Sequence, residues 1–439
     1  MDPSTLAARL RAIVKGPIRL KPDPTNELPT SAAVGSGLSR IGTDVSQVLG
    51  GDWCRRDGLS CFVVERRHGP ETVYGRDRLA AIAARLAGAA ADAPLVMGGA
   101  PARPPFVFFD LETTGLSGGA GTCAFLVGCG AFDEDGAFVT RQFILLCHTD
   151  ERALLQIVGA ELAQAGALVT FNGKSFDAPL IETRYLFHRL EWTGAALPHL
   201  DVLHPARRFW SDGGALETPC SLQALESQVL GARRTSDVPG SEIPARYFQF
   251  VRTGDARPLV AVLEHNRLDL LSLAGLTARL LDLVRRGPAA VRHPREALAL
   301  GRVYAQGGLD SRAREAYQHA CAQASIASIR IAGLRSLALL SRRSRRYDDA
   351  ATYWCQLLDV PACPAPLARE ATQALAVHHE HRARDLAAAK AFALRCFDAQ
   401  KPAWNQAVQY RLARIERKIN NSQRSSLNFE SASSGRVER

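Results

Sequence analysis

The stretch Phe106-Val107-Phe108-Phe109-Asp110-Leu111-Glu112-Thr113 constrains this chain more than any other. A run of apolar residues marks a strand covered on both faces, as in the interior of an α/β sheet. The strand nevertheless ends in two carboxylates at i and i+2, which point to the same side. Two like charges side by side repel unless a cation lies between them. The pair therefore either caps the turn that follows the strand or has a cation between its members.

The flanking sequence builds the sheet. Cys123–Phe132 and Ala137–Leu146 read as two further strands, joined by the Asp133-Glu134-Asp135-Gly136 turn. A helical period over 151–164 leads to a strand near 167–173, a helix near 177–190 and a strand near 199–206. Helices near 220–231 and 257–286 close the unit. Three strands able to meander, followed by strand-helix alternation, predict a mixed sheet of the α/β class. The domain is expected to run over 101–287.

From about 290 the strand signals stop and alanine-rich helices take over. Helix-turn-helix patterns recur, with Ala313, Ala350 and Ala388 each preceding an aromatic four residues on (Tyr317, Trp354, Phe392). They resemble degenerate tetratricopeptide repeats over 290–405, with a generic array of helix hairpins as the fallback. The polar segment 418–439 is expected to be a disordered tail. At the other end, residues 1–100 read as a partly disordered flanking region. It has a short amphipathic helix at 1–16, a loose linker at 17–50, a strand at Leu59–His68 and a helix within 75–88.

The net charge of +10 tilts the expectation toward a polyanionic partner. The 10 cysteines include no Cys-x-x-Cys pair and are spread through apolar segments, as for reduced thiols. Cys54, Cys61 and His68 lack a fourth ligand with zinc spacing. The alanine-rich stretch 79–100 is broken by Arg85, Asp92 and Pro94, so no membrane association is expected. With no targeting signal at the N-terminus, the expected location is the cytoplasm.

Two downstream acids can join the pair. Asp177 follows a strand and loop, Phe171-Asn172-Gly173-Lys174-Ser175-Phe176, and opens a helix. Asp269 lies on a strongly helical segment four residues after His265, so the two share a helix face. Four hard carboxylate sources select Mg²⁺ or Mn²⁺, and two such ions form the usual clamp for phosphodiester hydrolysis. A nearby histidine can take the proton of the attacking water.

These residues carry a resemblance. Phe109-Asp110-Leu111-Glu112-Thr113-Thr114-Gly115-Leu116 is similar to the first motif of the DEDD exonucleases of the ribonuclease H-like superfamily. Phe171-Asn172-Gly173-Lys174-Ser175-Phe176-Asp177 resembles their second, and His265-Asn266-Arg267-Leu268-Asp269 stands where the third belongs. The pattern is most similar to the YprB-like bacterial branch, which joins this domain to tetratricopeptide-like helices. The resemblance implies a five-stranded ribonuclease H-like sheet with helices, then an all-α repeat domain. It also implies 3′-to-5′ exonuclease chemistry with two divalent cations, Mg²⁺ or Mn²⁺.

On that resemblance Asp110 would bridge both ions. Glu112 would bind the first and help orient the water, Asp177 would hold the second, and Asp269 would complete the first. Asn172, Lys174 and Thr113 are expected on the substrate side. The third motif departs from the family, since His265 has the three-residue gap that belongs to the tyrosine branch. One position on a helix is a rotation of roughly 100°, which leaves its role as base open.

Bland readings stand beside these. Asp177 is a good helix cap, and His265 with Asp269 can be a polar stripe. Asp201 is expected to be structural or to touch the substrate's edge, ahead of binding a metal. The run Arg342, Arg343, Arg345, Arg346 can be a solvated face or a nucleic-acid track. Two functions follow. The first is an exonuclease on single strands, DNA slightly ahead of RNA. The second is a catalytically weak nuclease fold that recruits nucleic acid or, through its repeats, a protein partner.

Overall fold

The computed structural model describes residues 45–99, 102–115, 121–211, 220–396 and 402–434. The amphipathic helix expected at 1–16 and most of the linker expected at 17–50 lie outside the described residues. Residues 45–49 of that linker are helical, and Val45 and Leu49 are buried in the main core.

The central sheet has seven strands: β1 (Asp52–Arg56), β2 (Leu59–His68), β5 (Phe106–Thr113), β6 (Ala124–Phe132), β7 (Phe138–Ile144), β8 (Ala167–Thr170) and β9 (His199–Asp201). Their order is β1-β2-β7-β6-β5-β8-β9. The pairs from β1 to β5 are antiparallel, and β5-β8 and β8-β9 are parallel. A two-stranded ribbon, β3 (Val73–Tyr74) with β4 (Asp77–Arg78), leads into helix α1 (Leu79–Ala89). The expected α/β class with a following all-helical region is what the chain adopts. The sheet is wider than the five strands expected, because β2 pairs along its length with the free edge of β7 and brings β1 with it. An edge strand left unpaired exposes a row of hydrogen-bonding groups, and the 52–68 hairpin covers that edge.

Helices cover both faces: α2 (Glu151–Leu162), α3 (Asp177–Phe187), α4 (Leu203–Trp210), α5 (Ile243–Thr253) and the long α6 (Arg257–Arg286). Period-two alternation in β5 divides its side chains between two cores. Val107, Phe109 and Leu111 pack with α2, α3 and α5, while Phe106 and Phe108 pack with α1 and the second half of α6. Asp110 and Glu112 continue the even-numbered row. A strand apolar on both faces thus has one side on which its acids can emerge, next to α6.

The helical region follows as α7 (Pro294–Gln306), α8 (Asp310–Gln323), α9 (Ala327–Arg343), α10 (Tyr347–Leu358), α11 (Ala365–His378), α12 (Leu386–Leu394) and α13 (Pro402–Ser434). Sequential helices pack on one another as hairpins. Ala313, Tyr317, Ala350 and Trp354 are buried as their pattern predicts. In the third hairpin Ala389 takes the buried place expected of Ala388. The polar segment from 418, expected to be a disordered tail, is helical through Ser434. Ile415, with Leu412 and Ile419, keeps this helix on α12.

The array is fused to the sheet domain. Phe209 of α4 and Leu280, Leu283 and Val284 of α6 share a core with Leu300, Val303 and Tyr304. Across this seam Glu296 pairs with Arg279 at 2.9 Å and accepts the Trp210 Nε1–H at 2.9 Å. Among the described residues no helix is long and apolar enough to cross a membrane.

Candidate active site

Asp110 sits in a row that crosses three strands. Its partner on β6 is Gly128, and Gly128 faces Gln142 on β7. Asn266 of α6 lies over this row, fully buried. Its Nδ2 donates to Asp110 Oδ2 at 2.8 Å, and its Oδ1 accepts from Gln142 Nε2 at 2.9 Å. Gly128 is a glycine for a steric reason, since a Cβ there would overlap the Asn266 amide. Beyond Glu112 the β5–β6 register shifts at Thr113. Thr113 Oγ1 donates to the Gly115 carbonyl at 3.0 Å, and Thr114 Oγ1 accepts the Cys123 N–H at 3.0 Å. Both threonines fasten the turn that follows the acids. Leu116, the end of the first motif, lies outside the described residues.

The second motif is held from below by Asp201. Its carboxylate, buried at the end of β9, accepts backbone N–H groups from Asn172 (2.7 Å), Lys174 (3.1 Å) and Leu203 (3.1 Å). Asn172 adopts a left-handed φ of 66°, a conformation asparagine tolerates better than most residues. The loop then turns into α3, which opens at Asp177. Asp177 is the first residue of that helix, directly after Phe176 at the N-cap position. Burial, then the Asp201 charge, push the Asp177 carboxyl up to about 7. Lys174 is exposed, and Phe176 is 57% exposed beside it.

Helix α6 brings the third group. His265 and Asp269 share a face, with Nε2 and Oδ2 3.4 Å apart. Two further residues, Arg234 and Asp237, join them. His265 Nδ1 is 2.7 Å from Asp237 Oδ1. The Arg234 guanidinium is nearly enclosed and ion-pairs with Asp269, with Asp237 (2.9 Å) and with Glu226 (2.8 Å). Glu226 in turn accepts from Ser272 Oγ at 2.6 Å.

The electrostatics tie the three motifs together. Burial, then the charges of Asp269, Glu112 and Asp177, hold the Asp110 carboxyl well above the usual range, against the opposing Asn266 bond. Burial, Asp269, Asp177 and Asp237 do the same to Glu112. Asp269 is raised by burial even though Arg234 and His265 oppose the rise. Four acids from β5, the β8–α3 connection and α6 therefore repel one another across one site. No three of the described His, Cys, Asp or Glu side chains are drawn together into a finished ligand cage. The donor set still fits hard divalent cations: the oxygens are carboxylate, and the uncompensated charge is negative.

The sequence reading missed Asn266, Asp237 and Arg234. Asn266 lay inside the third motif, and its buried position on α6 was the available signal. Other candidates fall elsewhere. Cys54 and Cys61 face each other on β1 and β2, while His68 lies at the far end of β2 against Arg267. The basic run sits at the α9–α10 turn, where Arg343 pairs with Asp310 at 2.9 Å and Arg346 approaches Asp349 at 3.6 Å.

Residues 107–281 match the family model RNase_H_2, described as the RNase_H superfamily. The chain is 38% identical over 198 residues, 44% of its length, to the uncharacterized protein YprB of Bacillus subtilis (strain 168). The match spans 46% of that relative, so about half of each chain is compared. The matched interval runs from the first acid-bearing strand to beyond Asp269.

Proposed function

We propose that this chain is a metal-dependent nuclease that shortens single-stranded nucleic acid from its 3′ end by a two-metal-ion route. The observation that carries the reading is the mutual repulsion of Asp110, Glu112, Asp177 and Asp269 within a ribonuclease H-like domain. Such a cluster is unfavourable until cations neutralise it. The four carboxylates would hold two Mg²⁺ or Mn²⁺ ions. Bound there, the ions supply positive charge that favours ionisation of the attacking water and stabilises the leaving oxyanion.

The chain's own residues do the rest. His265, close to Asp269, takes the water's proton as the water oxygen bonds to phosphorus. The bond to the 3′ oxygen breaks, and that oxygen is protonated from solvent. Asn266 keeps Asp110 turned into the site, and Asp201 shapes the loop that delivers Asp177. Lys174 is exposed and would meet a phosphate, and Asn172 and Thr113 would contact the substrate. Single-stranded DNA is the first substrate to try, with RNA beside it. The helical array is offered as a tetratricopeptide-like platform for a protein partner.

One observation favours the second reading, a nuclease fold kept for binding. Arg234 occupies one oxygen of Asp269, and the acids do not close into a cage. Single strands labelled at the 3′ or 5′ end, with Mn²⁺, Mg²⁺ or EDTA, separate the two. Stepwise 3′ shortening that EDTA and Asp110→Ala abolish supports the exonuclease. Mobility shifts without shortening support the binding module.

A further inference from the structure

We propose that Asp237 is a positioning residue that fixes the His265 ring so that Nε2 is the nitrogen offered to the acid cluster. The role given to His265 rests on the nuclease reading above, whereas the ring geometry does not. Asp237 lies in the connection before α5, 28 residues from His265. Its carboxylate is held on both oxygens. Oδ1 accepts the Val238 N–H at 2.8 Å and faces His265 Nδ1 at 2.7 Å. Oδ2 accepts from Arg234 Nη1 at 2.9 Å and from Gln223 Nε2 at 2.6 Å. Bonds from His265 and Arg234 outweigh burial and keep this carboxyl below its usual range.

An ionised carboxylate only accepts hydrogen bonds. Nδ1 must therefore carry the proton, and Nε2 becomes the nitrogen that gains or gives one. Nε2 points along the helix to Asp269, 3.4 Å away. Arg234 binds the same two acids, Asp237 and Asp269, and so couples the ring's anchor to the carboxylate beside it. This answers the spacing problem of the third motif. A histidine one helix position out of register with the family is turned by a partner outside its own helix.

The test combines a spectroscopic readout with kinetics on the full-length chain. Histidine-selective ¹⁵N labelling, with His265→Gln for assignment, reports which ring nitrogen bears hydrogen in the metal-free protein. The expected result is an Nδ1–H ring in the wild type and loss of that form in Asp237→Asn, whose amide can donate to Nδ1 and reverse the tautomer. Turnover should fall about 10²-fold in Asp237→Asn, the usual worth of a placed general base. KM should stay within about twofold, and Asp237→Asn should cost nothing further on His265→Gln. An Nε2–H ring in the wild type, or an Nδ1–H ring that survives Asp237→Asn, overturns the proposal. If the wild type cleaves nothing, the nuclease reading fails, and the tautomer still decides for or against the Asp237 anchor.

Discussion

Asn266 Nδ2 lies 2.8 Å from Asp110 Oδ2, reaching it over the bare backbone of Gly128. The contact joins the first and third motifs directly and sets which way the first of the strand's two acids turns. Asn266 is held in turn by Gln142, whose Nε2 also donates to the Leu263 carbonyl at 2.8 Å. The chain from β7 to α6 to β5 is buried, so each of its members is expensive to leave unpaired.

Gly128→Ala should therefore act as a site mutation although Gly128 has no side chain to offer a metal or substrate. The added methyl displaces the Asn266 amide and frees Asp110. The expected cost is about 1–3 kcal/mol in urea unfolding, as for overpacking of a filled core. Nuclease activity should fall with it. A Gly128→Ala protein of wild-type stability and activity would mean that Asn266 has room to move.

Asp201→Ala should loosen the second motif. Three backbone N–H groups lose their acceptor, at about 1–3 kcal/mol for a buried group left unpaired. Asp201→Asn keeps one accepting oxygen and should be milder. Urea unfolding gives the cost. Hydrogen exchange at 171–176 should rise in both variants, and Asp201→Ala more than Asp201→Asn.

The acid cluster predicts a pH dependence opposite to that of an ordinary ion pair. The folded-state pKa values of Asp110 and Glu112 lie above the unfolded value of about 4. The stability of their neutral forms is fully present below about pH 4 and is lost as pH rises through the folded values. That of Asp177 is about 7. In EDTA, Asp110→Asn should melt higher than wild type at pH 8 and lose this advantage near pH 4. Calorimetry at the two pH values checks it, and equal melting of the two proteins at pH 8 would remove the argument from repulsion.

Glu380 should behave in the ordinary sense. Burial alone would raise it, but Arg414 (2.7 Å) and Lys418 (2.9 Å) outweigh burial and bring its carboxyl down to about 2. Its contribution is present above the unfolded value and is lost as pH falls from about 5 toward 2. Protection of the α13 amides relative to intrinsic exchange should fall on acidification in the wild type and be low already at pH 7 in Glu380→Gln.

The fold class was legible because the central strands β5, β6 and β8 each carry a short apolar run. β5 announces burial on both faces with Phe106-Val107-Phe108-Phe109, and Arg257–Arg286 shows a continuous helical period. The attachment of β2 was not legible. Leu59–His68 reads as a strand, but nothing local says that β7 is its partner. The candidate site shows the same limit. Asp110, Glu112, Asp177, His265 and Asp269 stand in short patterns with recognisable spacing. Arg234 meets Asp269 across 35 residues and Asp237 meets His265 across 28. Such contacts are made by tertiary packing, and single-sequence periodicity carries no trace of them.

The central claim is that the four acids hold divalent cations, and Mn²⁺ binding tests it most directly. Electron paramagnetic resonance titration should find about two Mn²⁺ bound per chain, with binding reduced in Asp110→Asn and in Asp269→Asn and displaced by Mg²⁺. Wild-type protein that binds no Mn²⁺, or binds it unchanged in both variants, would contradict the account.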